Sequence, residues 1–291
     1  MSYYRRVFKL PPMALAVYLL AGGQAICAGP AIQNETAVQF YRFGLLPYLS
    51  PEALTRTWGP FAAHLEKSLH ARLTVKSAPD FKTFIQRTKD LKYDFLITAP
   101  HFAALAKKQW GYRIIAGFSK ELSGDIVVGK DAPYKNVASL KGTVLATPDR
   151  LAAITLLGEL ALIEQGLVID KDITVKHTPS HNNALISVVE GKADAAVAVG
   201  GLYLRMSPKI KNGLRLLAKT KQVPHVMFIA NPKLSDETLN ALTESVLSPE
   251  SQANLLKFET NLGWGSLATV SEDNLQRLGP LVTLLKSRLA H

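Results

Sequence analysis

Residues 177–201 read "HTPSHNNALISVVEGKADAAVAVGG". The apolar positions Ala184, Leu185, Val188 and Val189 recur at helical spacing, and Ser180 stands ahead of them as an N-cap, with Asn182 as the alternative. The spacing predicts a helix that begins near His181 and closes at Gly191, a residue suited to the turn that ends a helix. "ADAAVAV", residues 193–199, then has the length and near-continuous apolar character of a strand buried on both faces. A helix leading into such a strand is one unit of a parallel α/β sheet. Ligands of these sheets lie at helix N-termini and strand C-termini, which here are the Ser180/His181 end and the Gly200-Gly201 end.

His177 and His181 are four apart, a spacing that lets two imidazoles reach one zinc ion when both sit on a helix. Pro179 lies between them and no acidic general base accompanies them, so no metal is expected and His177 is read as a surface-loop residue. For His181 the local sequence leaves a structural role at the helix start and a ligand contact both open.

Strand and helix patterns alternate through most of the remaining chain. "AVQFYRFGLLP" predicts a first strand, and "SPEALTRTWGPFAAHLEKSLH" a helix capped at Ser50 with Pro51 at its first position. "ARLTVKSA", "YDFLITA", "YRIIAGFS", "GDIVVGKD" and "TVLATP" read as further strands, with helical segments such as "DFKTFIQRTKDL", "PHFAALAKKQW" and "AAITLLGELALIEQG" among them. Near the C-terminus, helices are expected from Ser235 and from Ser248, the second with Pro249 at its first position. The order predicts mainly parallel sheets, and no solenoid repeat or low-complexity segment accompanies it.

The first residues, "MSYYRRVFKLPPMALAVYLLAGGQAICAGP", combine a basic start at Arg5, Arg6 and Lys9 with an apolar run from Met13 to Leu20 and a small-residue exit at Ala28. This is the pattern of a signal peptide over 1–28, cleaved on export, because Pro11, Pro12 and Gly22-Gly23 leave too short an apolar run to span a membrane. Cys27, the chain's only cysteine, follows the bulky Ile26, which argues against a lipoprotein. The folded body then has neither a disulfide nor a cysteine nucleophile. Loss of Arg5, Arg6 and Lys9 lowers the formal charge of the 291-residue chain from +11 to +8. Basic residues are dispersed and no aromatic-basic motif appears, so the charge points to a small anion before nucleic acid.

Several stretches together resemble a known family. "YRFGLLPYLSPEAL", "YDFLITAPHFAALA", "VASLKGTVLATPD", "SHNNALISVVEGKADAAV" and "VPHVMFIANPKLSDE" occur in the order and spacing of the periplasmic phosphate/phosphite/phosphonate-binding proteins of ABC transporters. The resemblance covers roughly 38–275, and its most specific element is the "SH…VVEGKADAA" stretch. It implies a type II periplasmic binding fold of two α/β lobes, one formed by 38–120 and 222–291 and the other, inserted, by 121–221. It further implies a periplasmic, monomeric protein that closes on a small anionic solute and delivers it to a permease in the inner membrane, with no cofactor.

The same resemblance implies site residues. Ser180 and His181 match the family's cleft-facing pair, Tyr48 the ligand-facing loop after the first strand, and His101 and Ser123 two further positions near the solute. One departure accompanies these matches. The family's proline and hydroxyl cluster after "TVLAT" is here "PDRLAAIT", which keeps Pro148, offers Asp149 as a cap, and replaces the hydroxyl donors with Arg150, Leu151 and Ala152. Arg150 is expected either to clamp a carboxylate, sulfonate, phosphate ester or phosphonate through its planar guanidinium or to lie solvated at the surface. No G-x-S-x-G elbow, phosphate-binding G-K-[ST] loop or H-E-x-x-H helix is present, so binding without catalysis is expected. The alternatives are a ligand-sensing partner of a membrane receptor or kinase, and an extracytoplasmic enzyme.

Overall fold

Strand β1 (Gln39–Leu45) leads into α1 (Pro51–Ser68), β2 (Ala71–Lys76), α2 (Phe81–Lys89), β3 (Phe95–Thr98), α3 (Pro100–Trp110) and β4 (Arg113–Phe118). After a crossing near Leu122 come β5 (Gly124–Gly129), β6 (Val144–Thr147), α4 (Ala153–Ile163), β7 (Thr174–His177) and α5 (His181–Val189). β8 (Ala195–Val199), α6 (Pro208–Asn212) and β9 (Leu214–Lys219) complete this part. The chain returns through Val223 to β10 (Met227–Ala230), α7 (Asp236–Leu247), α8 (Pro249–Leu262), β11 (Leu267–Ala268), α9 (Glu272–Gln276) and α10 (Gly279–Ala290). The computed structural model describes residues 38–290, and of 256–262 the backbone alone; the signal-peptide reading of 1–28 falls outside the described residues.

Two sheets result. The first has six strands in the order β11-β4-β10-β3-β1-β2, the second five in the order β7-β6-β8-β5-β9. Where the chain passes between them, Leu122 and Val223 pair antiparallel, with backbone bonds of 2.8 and 2.9 Å. The sheets are mixed rather than mainly parallel. β1, β2 and β3 pair in parallel, as do β6, β7 and β8, but β10 runs antiparallel to β3 and β4, and β5 antiparallel to β8 and β9. The antiparallel strands β5 and β10 are those entered directly from a crossing. No helix on the same sheet precedes them to turn the chain back, which is what a parallel neighbour needs.

Local chemistry explains the helix starts. The side chains of Ser50, Asp80, Ser180 and Ser235 each accept a backbone N–H at the head of α1, α2, α5 and α7. Pro51 and Pro100 occupy first positions, where a missing N–H costs nothing. At the centre of the first sheet Phe43, Phe95 and Phe228 bring their rings to 5.3–5.8 Å of one another, and Trp58 and Phe61 of α1 cover them. Burying each such side chain stabilises the fold by about 1.5–3 kcal/mol. Gly44 faces the opposite side of β1 and makes room for the Tyr93 ring, because a Cβ there would stand 2.7 Å from it.

One buried cluster runs without interruption from the first sheet (Leu96, Ile229) to the second (Val128, Leu145, Val197). The C-terminal helix α10 contributes Leu281 and Leu285 to it and lies against both α3 and α4. Its Arg288 meets Glu159 of α4 at 2.9 Å, and the Glu159 side chain is only 1% exposed. Burial raises the Glu159 carboxyl above its ordinary range, and the Arg288 guanidinium opposes that shift.

Candidate functional site: a cleft at the heads of four helices

The C-terminal ends of parallel strands β1 and β3 open onto a cleft of about 120 Å³, where Leu46, Tyr48, Ile97 and Ala99 form one wall. The opposite wall comes from the second sheet: Ala152, Ala153 and Ile154 at the head of α4, His181 at the head of α5, and Val199 at the end of β8. Leu122, His225 and Val226 of the crossings close the back, and Trp264 and Phe81 complete the lining. Among the described residues, no lysine, arginine, aspartate or glutamate lines this cleft.

What the cleft offers an anion is helix ends. α2, α3, α4 and α5 each place a residue from their first turn or cap in its wall. α2 and α5 are capped by their own side chains, whereas α3 and α4 carry Ala99 and Ala152 at the N-cap with no side-chain bond. The first backbone bond of α4 runs from the Leu156 N–H to the Ala152 carbonyl at 3.1 Å, leaving the N–H groups of Ala153, Ile154 and Thr155 ahead of it. Free N–H groups and the positive end of the helix dipole favour an oxyanion there.

Neutral polar side chains supplement them. Burial lowers His181 and His225 to a pKa of about 4, so both imidazoles are uncharged at neutral pH, and the Nδ1 of each is buried without a partner. Burial raises the Tyr48 hydroxyl to about 12; its oxygen accepts the Trp58 indole N–H at 3.2 Å. Trp264 packs between Tyr48 and His225, with ring centroids at 5.5 and 4.9 Å, and meets Phe118 edge-on at 5.2 Å.

The residues singled out from sequence separate into groups. Tyr48 and His181 line the cleft. His101 lies behind its wall, fully buried, with Nε2 donating to the Leu151 carbonyl at 2.9 Å; this bond joins α3 to the turn before α4. Burial lowers His101 to about 4 as well. Ser123 is next to Leu122, and its carbonyl accepts the Gly200 N–H at 2.9 Å. Ser180 caps α5, its hydroxyl accepting the Asn183 N–H at 3.2 Å.

Asp149 and Arg150 lie elsewhere. The Asp149 carboxylate accepts the Leu151 N–H at 2.7 Å, and Arg150 donates to the Arg288 carbonyl at 3.0 Å in a groove shared with Asp80 and Lys82. Arg150 therefore points at α10 and not into the cleft. The cause is a tight turn, closed by the Ala152 N–H on the Asp149 carbonyl at 3.0 Å, which delays the helix to Ala153. The positions at the helix head are thus Ala152, Ala153 and Ile154. Sequence reasoning passed over Phe81, His225 and Trp264. His225 was signalled by a polar residue directly after Pro224, at the mouth of a buried strand. Trp264, between two glycines and more than two hundred residues from Tyr48, carried no signal.

The two sheets share one continuous core, and the cleft lies at their strand ends and helix heads. Residues 43–275 match the family described as ABC transporter, phosphonate, periplasmic substrate-binding protein, and the chain belongs to that family. The fold is similar to that of PhnD1 from Prochlorococcus marinus in complex with methylphosphonate, with a TM-score of 0.74, 16% identity, and 85% of this chain and 98% of that one covered. A Xanthomonas citri protein solved with ATP gives a TM-score of 0.74 at 14% identity, covering 87% and 98%. The periplasmic aliphatic sulphonate binding protein SsuA of Escherichia coli gives 0.57 at 14%, covering 86% and 92%.

Proposed function

We propose that this chain is exported, loses residues 1–28, and works as a monomer in the periplasm, taking a small oxyanion into the cleft and delivering it to a membrane permease. The charged end of the solute is held by the uncapped heads of α3 and α4 and by His181, with Tyr48 beside it. His101, Ser123 and Ser180 keep these elements in place. The observation that carries the reading is the convergence of two uncapped helix N-termini and a neutral, unpartnered imidazole on one cleft of a family whose members bind solutes for ABC transporters.

The test is a thermal-shift screen of small oxyanions followed by calorimetry on the hits. A ligand at a hundredfold excess over its Kd adds about 2.7 kcal/mol of stability, a plain rise in Tm. The reading predicts a hit that His181→Ala weakens, and a panel with no hit would refute it. For export, the mass of the protein recovered from a periplasmic fraction is expected to lack the leader.

A further inference from the structure

We infer that the cleft selects a singly charged oxyanion whose remaining part is short, apolar and free of any ammonium group, with His225 bonding the solute whatever its class and Trp264 walling the space for its apolar part. The inference rests on the solute-binding reading above and narrows it.

The charged end comes first. Among the described residues the cleft has no lysine or arginine, so a doubly charged head group buried there has helix ends and neutral donors to replace its water. The three positions at the head of α4 are Ala152, Ala153 and Ile154, which carry no hydroxyl to bind extra oxygens. What is available suits one negative charge: the N–H groups of α3 and α4 and the unpartnered imidazoles of His181 and His225. His225 is 6% exposed, so its unused Nδ1 is a polar atom kept from water that a solute oxygen or hydroxyl can satisfy.

The other end follows from the same lining. An ammonium group on the solute needs a carboxylate or several acceptors, and no carboxylate lines the cleft among the described residues. Leu46, Ile97, Leu122, Val199 and Val226 instead present hydrocarbon, and Trp264 adds an aromatic face beside His225. In a volume of about 120 Å³ that space admits only a short chain.

The experiment titrates the full chain calorimetrically with ethanesulfonate, propionate, ethylphosphonate and 2-aminoethanesulfonate. Ethanesulfonate or propionate is expected to bind, and 2-aminoethanesulfonate at least about tenfold more weakly than ethanesulfonate, the loss expected for an unpaired buried charge. From about pH 6 to about pH 9 ethylphosphonate gains its second charge, and its affinity relative to ethanesulfonate is expected to fall about tenfold; the ratio cancels any titration of the protein itself. Methanesulfonate is expected to bind about fourfold more weakly than ethanesulfonate, one methylene's worth, and Trp264→Leu to erase that difference. His225→Phe, which keeps the ring, is expected to weaken every ligand about tenfold. If ethylphosphonate holds or gains against ethanesulfonate at the higher pH, or the amine is tolerated within about threefold, the inference is overturned while the binding reading stands. If no oxyanion binds, both fall.

Discussion

Two faces of one short turn, residues 149–154, illustrate opposite uses of charge. On one face Asp149 and Arg150 join Asp80, Lys82 and Arg288 in a groove held by ion pairs and hydrogen bonds between α4 and α10. On the other, Ala152, Ala153 and Ile154 form the wall of a cleft that, among the described residues, no formal charge lines. The cations sit where they fasten the C-terminal helix, and the cleft is lined by the heads of α3 and α4, which carry no side-chain cap. A guanidinium in the cleft would need a counter-charge whenever the solute is absent, whereas an N–H group costs less to leave waiting.

The contrast can be broken most forcefully on the charged face. Arg288→Ala leaves the buried Glu159 carboxylate unpaired and is expected to destabilise the protein by about 3–5 kcal/mol in denaturant titrations. Because burial already raises that carboxyl, the deficit should shrink in acid, where Glu159 takes up a proton; a deficit independent of pH would show that the pair does not matter.

The neutral face is tested by protons. Burial holds His101, His181 and His225 at about 4 in the fold, below the value of about 6.5 in an unfolded chain. Stability is therefore complete above about pH 6.5 and lost as pH falls toward about 4, by about 1.4 kcal/mol per pH unit for each histidine. His101→Gln should remove one share of this slope, which parallel melts at several pH values would reveal. An unchanged slope would mean that this imidazole is not kept neutral.

His181→Ala is expected to lower affinity about ten- to a hundredfold, equivalent to about 1.5–3 kcal/mol for a bond to a charged group, while Tm hardly moves. Equal affinity in calorimetry would remove His181 from the site. The smallest effect belongs to Arg150→Lys. With its guanidinium bonded to the Arg288 carbonyl, the change should leave affinity untouched and cost under about 1 kcal/mol of stability. A tenfold loss of binding would show that the two faces are not separate.

Much of this was legible in the linear chain because it depends on neighbours in sequence. Ser50, Ser180 and Ser235 accept N–H groups three residues onward, and prolines at first helical positions need only their own ring geometry. His181 could be placed at a helix head beside a strand end by the same local logic. The start of α4 was less legible, because the turn at Asp149 is a three-residue hydrogen-bond choice that periodicity does not register.

The sequence by itself determined most of the strand and helix segments, the caps of α1, α5 and α7, and His181 at a helix head, since periodicity and capping are written within a few residues. Only the tertiary structure decided that β5 and β10 run antiparallel, that Arg150 turns to α10, and that His225 and Trp264 meet Tyr48 at the cleft. Those outcomes depend on which surfaces two sheets bury against each other, and contacts across most of the chain's length leave no period in its sequence.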